Sequence, residues 1–186
     1  MTDLRTTILD AAVQVFMRYG VGRTRMGDIA TEAGVVRQTL YSFFKGKDEI
    51  LCATIRHVSE LSLAEIEHQW AHLDDLGDKL DVFYEQATIS SFAVISASPD
   101  ARDMIDGYND AGKAEMLRVQ GEKIAAWATQ LRPYLLRDKP STFSAEQLAE
   151  YIVLSSLGTR DLAGDEAQLR GLLAVQKAGI LAMLAR

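Results

Sequence analysis

No proline occurs before residue 99, and the chain holds only three: Pro99, Pro133 and Pro140. Proline lacks a backbone donor and clashes with the preceding helical turn, so it is the main interrupter of helices. Ordinary usage is about 5%. A chain with so few interrupters is free to stay helical, and its apolar residues recur at helical spacing almost throughout. Leu4, Ile8, Ala12, Val15, Phe16 and Tyr19 form one stripe, which Gly20 and Gly22 end. Thr24 is placed to cap a short second helix over 25–33, Gly34 breaks it, and a third short helix runs over 37–44. A long helix follows over 48–72, a turn at 75–77, and a helix over 78–97. Ser98 and Pro99 open a short helix, and 113–131 forms the next. Pro133 and Pro140 bracket a loop. Ser144 with Gln147 has the spacing of a capping box and opens a helix over 144–162; Asp165 with Gln168 opens the last, over 165–185. No strand-like alternation of useful length is present. The expectation is an all-α fold of about nine helices.

Composition excludes several classes. Apolar residues make 48% and charged residues 25%, which places the chain among globular proteins and not disordered ones. A lone cysteine, Cys52, cannot form an internal disulfide or a thiolate cluster. The most apolar stretch, 171–185, is broken by Gln176 and Lys177, so no membrane span is expected. Residues 2–11 carry Asp3 and Asp10 and lack the apolar run of a signal peptide. A cytoplasmic location is the expectation. The net charge of −6 argues at first against nucleic acid as a partner, but its distribution does not. Residues 1–47 hold seven Lys and Arg against four Asp and Glu, while 48–186 hold thirteen against twenty-two. A basic segment sits on an acidic body.

That basic segment has the pattern of a helix-turn-helix between Met26 and Lys45. Two short helices that cross steeply need a small residue in the first, and Ala30 is one. Their turn needs a residue that tolerates positive φ, and Gly34 follows four positions later. Ile29, Ala33, Val35, Leu40 and Phe43 are available as supporting apolar contacts.

The run from Gly20 to Thr24, the Asp28–Val35 stretch, and Thr39 to Leu51 with its Phe43-Phe44-Lys45-Gly46-Lys47 centre resemble the Tet-repressor (TetR) family signature. The resemblance covers about the first 55 residues and implies an all-α homodimer. Residues 1–47 would be the DNA-binding domain, and 48–186 an effector-binding and dimerisation domain. The family consists mostly of transcriptional repressors released from a palindromic operator by a small molecule. Two positions depart from it. Val36 stands where the family usually has a capping Ser or Thr, and Gln38 where it often has Gly.

Site roles follow from the geometry of such a domain. The first turn of a recognition helix enters the major groove, which sets Arg37, Gln38 and Thr39 against base edges. Arg pairs well with guanine and Gln with adenine. Tyr41, Lys45 and Lys47 lie on or just after this helix, and Thr24 and Arg25 start the one before; all five are candidate phosphate contacts.

The body is less legible. Trp70, Phe83, Tyr84, Phe92, Met104, Tyr108, Met116 and Trp127 are side chains of the kind that line a site for an apolar or aromatic effector, and they also fill ordinary cores. Small residues at 155, 156, 158, 174, 178 and 182 on the last two helices permit close helix approach, and the resemblance implies a homodimer there. Asp103, Asp106 and Asp110 recur at helical spacing, as on a solvated face. Glu65, His68 and His72 share one side of the long helix, which is the foothold for an alternative metalloenzyme reading. A di-iron site needs a second Glu-x-x-His, and the chain has none. The expectation is therefore a non-enzyme with no cofactor and no metal site. A DNA-binding regulator without a small ligand is the other alternative.

Overall fold

In the computed structural model, residues 3–135 and 142–185 are described, and their regular structure is helical. In order these are α1 (Leu4–Arg23), α2 (Met26–Glu32), α3 (Arg37–Phe43), α4 (Lys47–Trp70), α5 (Leu76–Phe83), a π-helical segment (Tyr84–Ile89) and α6 (Ser90–Ala97). A 3-10 turn (Pro99–Ala101), α7 (Arg102–Ile105), α8 (Asp110–Leu135), α9 (Ala145–Leu162) and α10 (Glu166–Leu184) complete them. The all-α expectation holds, with no strand among the described residues.

Helix starts follow side-chain chemistry. At α9, Gln147 N donates to Ser144 Oγ at 3.1 Å and Ser144 N donates to Gln147 Oε1 at 2.9 Å, a reciprocal capping box. At α10, Asp165 Oδ1 accepts from Gln168 N at 2.8 Å. At α5, Asp75 Oδ1 accepts from Asp78 N at 3.1 Å.

Several boundaries differ from the sequence reading. Thr24 is not the cap of α2; that position is Arg25, whose N–H donates to Asp28 Oδ2 at 2.8 Å. Thr24 is buried instead, with its hydroxyl donating to Gly20 O at 2.7 Å. The stretch read as one helix over 78–97 is interrupted by the π-helical turn, an i→i+5 pattern with no simple sequence signal. The α8 helix begins earlier and ends later than expected, and Pro133 lies inside its last turns. Pro140 falls outside the described residues.

The chain divides into two compact units. The first comprises 1–61 and 94–119, the second 62–93 and 120–186. The core of the first is built from Ile8, Ala12, Val15 and Phe16 of α1, Ile29 and Ala30 of α2, Leu40 of α3, and Ile50, Leu51 and Ile55 of α4, with Met104 and Val119. The core of the second centres on Ile66, Trp70, Leu80, Phe83, Trp127, Leu148, Ile152, Leu169, Leu173 and Ile180. Trp70 and Phe83 pack their rings on Trp127 at centroid distances of 4.5 Å and 5.5 Å. Among the described residues, no helix is long and apolar enough to cross a membrane.

Candidate nucleic-acid interface

The turn between α2 and α3 fixes how α3 is presented. Gly34 has φ +67°, a left-handed conformation that side chains with a Cβ rarely adopt. Its N–H donates to Thr31 O at 3.1 Å, and Val35 N donates to Ala30 O at 2.9 Å. This is the Schellman pattern, which satisfies the last carbonyls of α2 and turns the chain sharply into α3. Ile29, Ala30 and Leu40 are almost wholly buried at the crossing. The small-residue, glycine and apolar positions read from the sequence thus act together.

Burying Leu40 leaves the opposite face of α3, that of Gln38, to solvent. Arg37, Gln38 and Tyr41 are exposed, Thr39 is half-buried, and Lys45 is exposed just beyond the helix. Val36 occupies the cap position of α3, makes no side-chain cap, and is 69% exposed. A valine offers no oxygen to the first-turn amides, as its residue type requires. Arg25 is exposed at the start of α2.

Two of the candidate phosphate contacts have internal partners. Thr24 turns its hydroxyl inward, as described above. Lys47 Nζ donates to Val21 O at 2.9 Å and Gly22 O at 3.2 Å, and it lies over the Tyr108 ring at 5.7 Å. A cation here meets the unsatisfied carbonyls at the C-terminal end of α1. Sequence spacing does not reveal this pairing, because Lys47 and Tyr108 are 61 positions apart.

The segment after Pro99 clasps the same region. Ser98 Oγ donates to Met17 O at 2.8 Å, Arg23 pairs with Asp100, and Gly22 N donates to Asp103 Oδ2 at 3.4 Å. Asn109 Nδ2 donates to Asp48 Oδ1 at 2.7 Å at the start of α4. Asp103 and Asp106 are engaged within the protein, Asp106 with Arg102 at 3.4 Å. The sequence reading missed this clasp, since it is built from side chains of short elements with no periodic pattern.

The eight candidate effector residues fall into two groups. Trp70, Phe83, Tyr84 and Trp127 lie in the core of the second unit, with Phe92 packed at its margin. Met104 and Met116 belong to the core of the first unit, and Tyr108 to the clasp just described. The eight are thus divided between the two units. His68 and His72 are exposed, with rings 5.3 Å apart, and Glu65 accepts from Gln69 Nε2 at 2.7 Å. Among the described residues, no cluster of three His, Cys, Asp or Glu is placed to hold a metal ion.

Known proteins match this arrangement. The model of the family described as "bacterial regulatory proteins, tetR family" matches residues 8–54. The HTH-type transcriptional regulator AcrR of Shigella flexneri is 36% identical over 83 residues, 45% of this chain and 38% of that protein. The HTH-type transcriptional repressor LfrR of Mycolicibacterium smegmatis is 41% identical over 63 residues, 34% of this chain and 32% of that protein. Each match thus spans well under half of the curated relative. Among solved structures, Salmonella enterica GusR superposes with TM-score 0.72 at 21% identity, covering 98% of this chain and 96% of that one. FadR of Bacillus subtilis, solved in complex with stearoyl-CoA, gives TM-score 0.69 at 16% identity with 96% of each chain covered. At such identities the likeness is one of fold. Residues 8–54, which hold the helix-turn-helix, thus carry the signature of the TetR family of bacterial regulatory proteins, and the chain shares its fold with the solved structures just named.

Proposed function

We propose that the protein is a ligand-responsive transcriptional regulator, a repressor, that binds a palindromic DNA operator as a homodimer in the cytoplasm. The observation that carries the DNA-reading part is the exposed face of α3, where Arg37 and Gln38 stand free of the core beside a turn fixed by Gly34. Arg37, Gln38 and Thr39 read base edges; Arg25, Tyr41 and Lys45 contact phosphates. The amides at the start of α4 add a further phosphate site. Lys47 and Thr24 support this surface from behind through the bonds they make to α1.

The dimer reading rests on α9 and α10. Their surfaces carry Tyr151, Leu154, Leu162, Leu172 and Val175 with 46 to 88% of each exposed. A Cβ added at Gly158, Gly171 or Gly179 would meet nothing within 4 Å, so bare backbone is available for close approach by another helix. An exposed apolar set of this kind marks an interface, and a two-fold dimer matches a palindromic site.

Control by ligand requires coupling from the second unit to the first. The helices α4, α6 and α8 run from one unit into the other. The clasp over 98–109 holds the ends of α1 and α4, so a shift of these helices in response to an effector would alter how α3 is presented. Coupling of this kind is reciprocal: effector must weaken operator binding as much as operator weakens effector binding. The FadR structure bound to stearoyl-CoA supports a small-molecule site in a protein of this fold. DNA selection with the purified protein, followed by release of the selected site by a compound screen, tests the reading. Selection that yields no preferred sequence would refute it.

A further inference from the structure

The second unit contains a cation in a place that costs stability. Lys123 lies on α8, and burial holds its ammonium pKa below the ordinary lysine range, with the nearby positive charge of Arg160 lowering it further. Its side chain nonetheless keeps accessible surface. Among the described residues, no carboxylate pairs with Lys123. Arg160 of α9, only 6% exposed, is held by Asp161 at 2.7 Å. Burying an unpaired ammonium is unfavourable unless something else supplies the counter-charge.

Two buried donors of the same unit also lack partners. Trp127 lies one turn beyond Lys123 on the same face of α8. It is fully buried, and its indole Nε1 has no hydrogen-bond partner. Tyr84, at the start of the π-helical turn, is 4% exposed, and its hydroxyl also has no partner. Phe83 links the two, with ring centroids 5.5 Å from Trp127 and 6.2 Å from Tyr84. Buried polar atoms in native proteins are nearly always satisfied. π-helical turns recur at functional sites. An indole N–H and an ammonium are donors only, so the group that answers them is an acceptor, and the excess positive charge makes it an anion. The surrounding core of Trp70, Phe83 and Ile124 is apolar and suits a hydrocarbon or aromatic body.

We propose that the second unit binds an amphipathic carboxylate, its anionic end held by Lys123 and Trp127 with Arg160 flanking and its apolar body against the aromatic cluster. This inference rests on the ligand-responsive reading above and names the effector's chemical class. It sharpens the expectation of an apolar or aromatic effector by adding a charge to one end.

The test uses the full-length protein with two matched pairs of probes: decanoate against decanamide, and 2-naphthoate against 2-naphthamide. Calorimetry should show at least one carboxylate binding about tenfold or more tightly than its neutral amide, the size expected of a charge-assisted hydrogen bond. Lys123→Met should erase that preference. It should also raise the melting temperature of the unliganded protein, which a merely structural lysine would not do. Amides that bind as well as acids, a Lys123→Met protein that retains the preference, or no binding by either carboxylate would each overturn the proposal. Operator affinity measured on the same samples separates the two readings. Carboxylate binding with unchanged operator affinity refutes ligand-controlled release and leaves the site standing. Release by an amide alone refutes the anionic site and leaves ligand control standing.

Discussion

The Arg37 guanidinium lies directly over Gly27: a Cβ at that glycine would stand 2.5 Å from Arg37 Nη2 and 3.0 Å from its Cζ. The absence of a side chain in the first turn of α2 is therefore what lets the first residue of α3 lie back across it. Gly27→Ala should push the guanidinium aside without unfolding the domain, because the obstacle is the far end of a flexible side chain. The expected result is a loss of discrimination between operator and random DNA with near-normal affinity for random DNA, read by fluorescence anisotropy on both. A uniform loss on both would show instead that the whole head has shifted.

Lys47 and Lys45 should behave differently although two positions separate them. Lys45 is exposed beyond α3, and Lys45→Ala should lower the slope of log affinity against log salt by about one unit, the loss of one phosphate contact. Lys47→Met removes the bonds to Val21 O and Gly22 O and should cost about 1–2 kcal/mol of stability. Its effect on the salt slope should be smaller than that of Lys45→Ala. Chemical denaturation and salt titration of both variants compare the two directly.

The pairing of α4 with α8 predicts an acid limit. Glu115 is 8% exposed and accepts from Arg56 Nε and Nη2, both at 3.0 Å, and from Arg118 Nε at 2.7 Å. The Arg56 hydrogen bonds hold its carboxyl below the usual range against the opposing effect of burial, with Arg118 adding to the lowering. A carboxylate with a depressed folded pKa stabilises the fold fully above its unfolded pKa of about 4.3, and that contribution disappears as pH falls through the folded value. Glu115→Gln should cost about 1–2 kcal/mol at pH 7, since both arginines remain partly hydrated. The variant should also lose less stability than the wild type between pH 6 and pH 3, as measured by urea unfolding. Parallel pH curves would remove Glu115 from this role.

Val175 is 71% exposed on α10 and Leu154 47% exposed on α9. A double change of both to Glu should leave the helices folded but yield a species of about 20 kDa by light scattering at micromolar concentration, because charges are strongly disfavoured at an interface core. Operator affinity should fall with it, since each half-site would be bound alone. A wild-type protein that is already monomeric would contradict the dimer.

How much of this was legible beforehand depends on whether the determining contact is local. The box at Ser144 and Gln147, the cap at Asp165 and the turn at Gly34 span three to five residues, and each forms as its residue types dictate. The exposed face of α3 was legible for the same reason, since burying Leu40 turns Gln38 to the opposite side of the helix. The carbonyl partners of Lys47 and the clasp by Ser98, Asp100 and Asp103 join residues 25 to 81 positions apart. Such contacts depend on tertiary placement, and no periodic pattern announces them. Aromatic and Met residues gave the least guidance, because Trp70, Met104 and Met116 serve equally well as core.

The charge distribution can also be read more sharply now. The basic residues of α2, α3 and the loop to α4 include exposed ones at Arg25, Arg37 and Lys45, while an excess of acidic residues lies in the rest of the chain. That excess should repel DNA everywhere except at the reading surface and keep non-specific binding weak and salt-sensitive.

The most direct test of the central claim, that α3 reads bases, is a competition between the selected operator and random DNA of equal length for the wild type, Arg37→Ala and Gln38→Ala. Each substitution should reduce the discrimination between the two DNAs by about 1–3 kcal/mol while leaving affinity for random DNA nearly unchanged. Equal weakening on both DNAs would contradict base readout by α3.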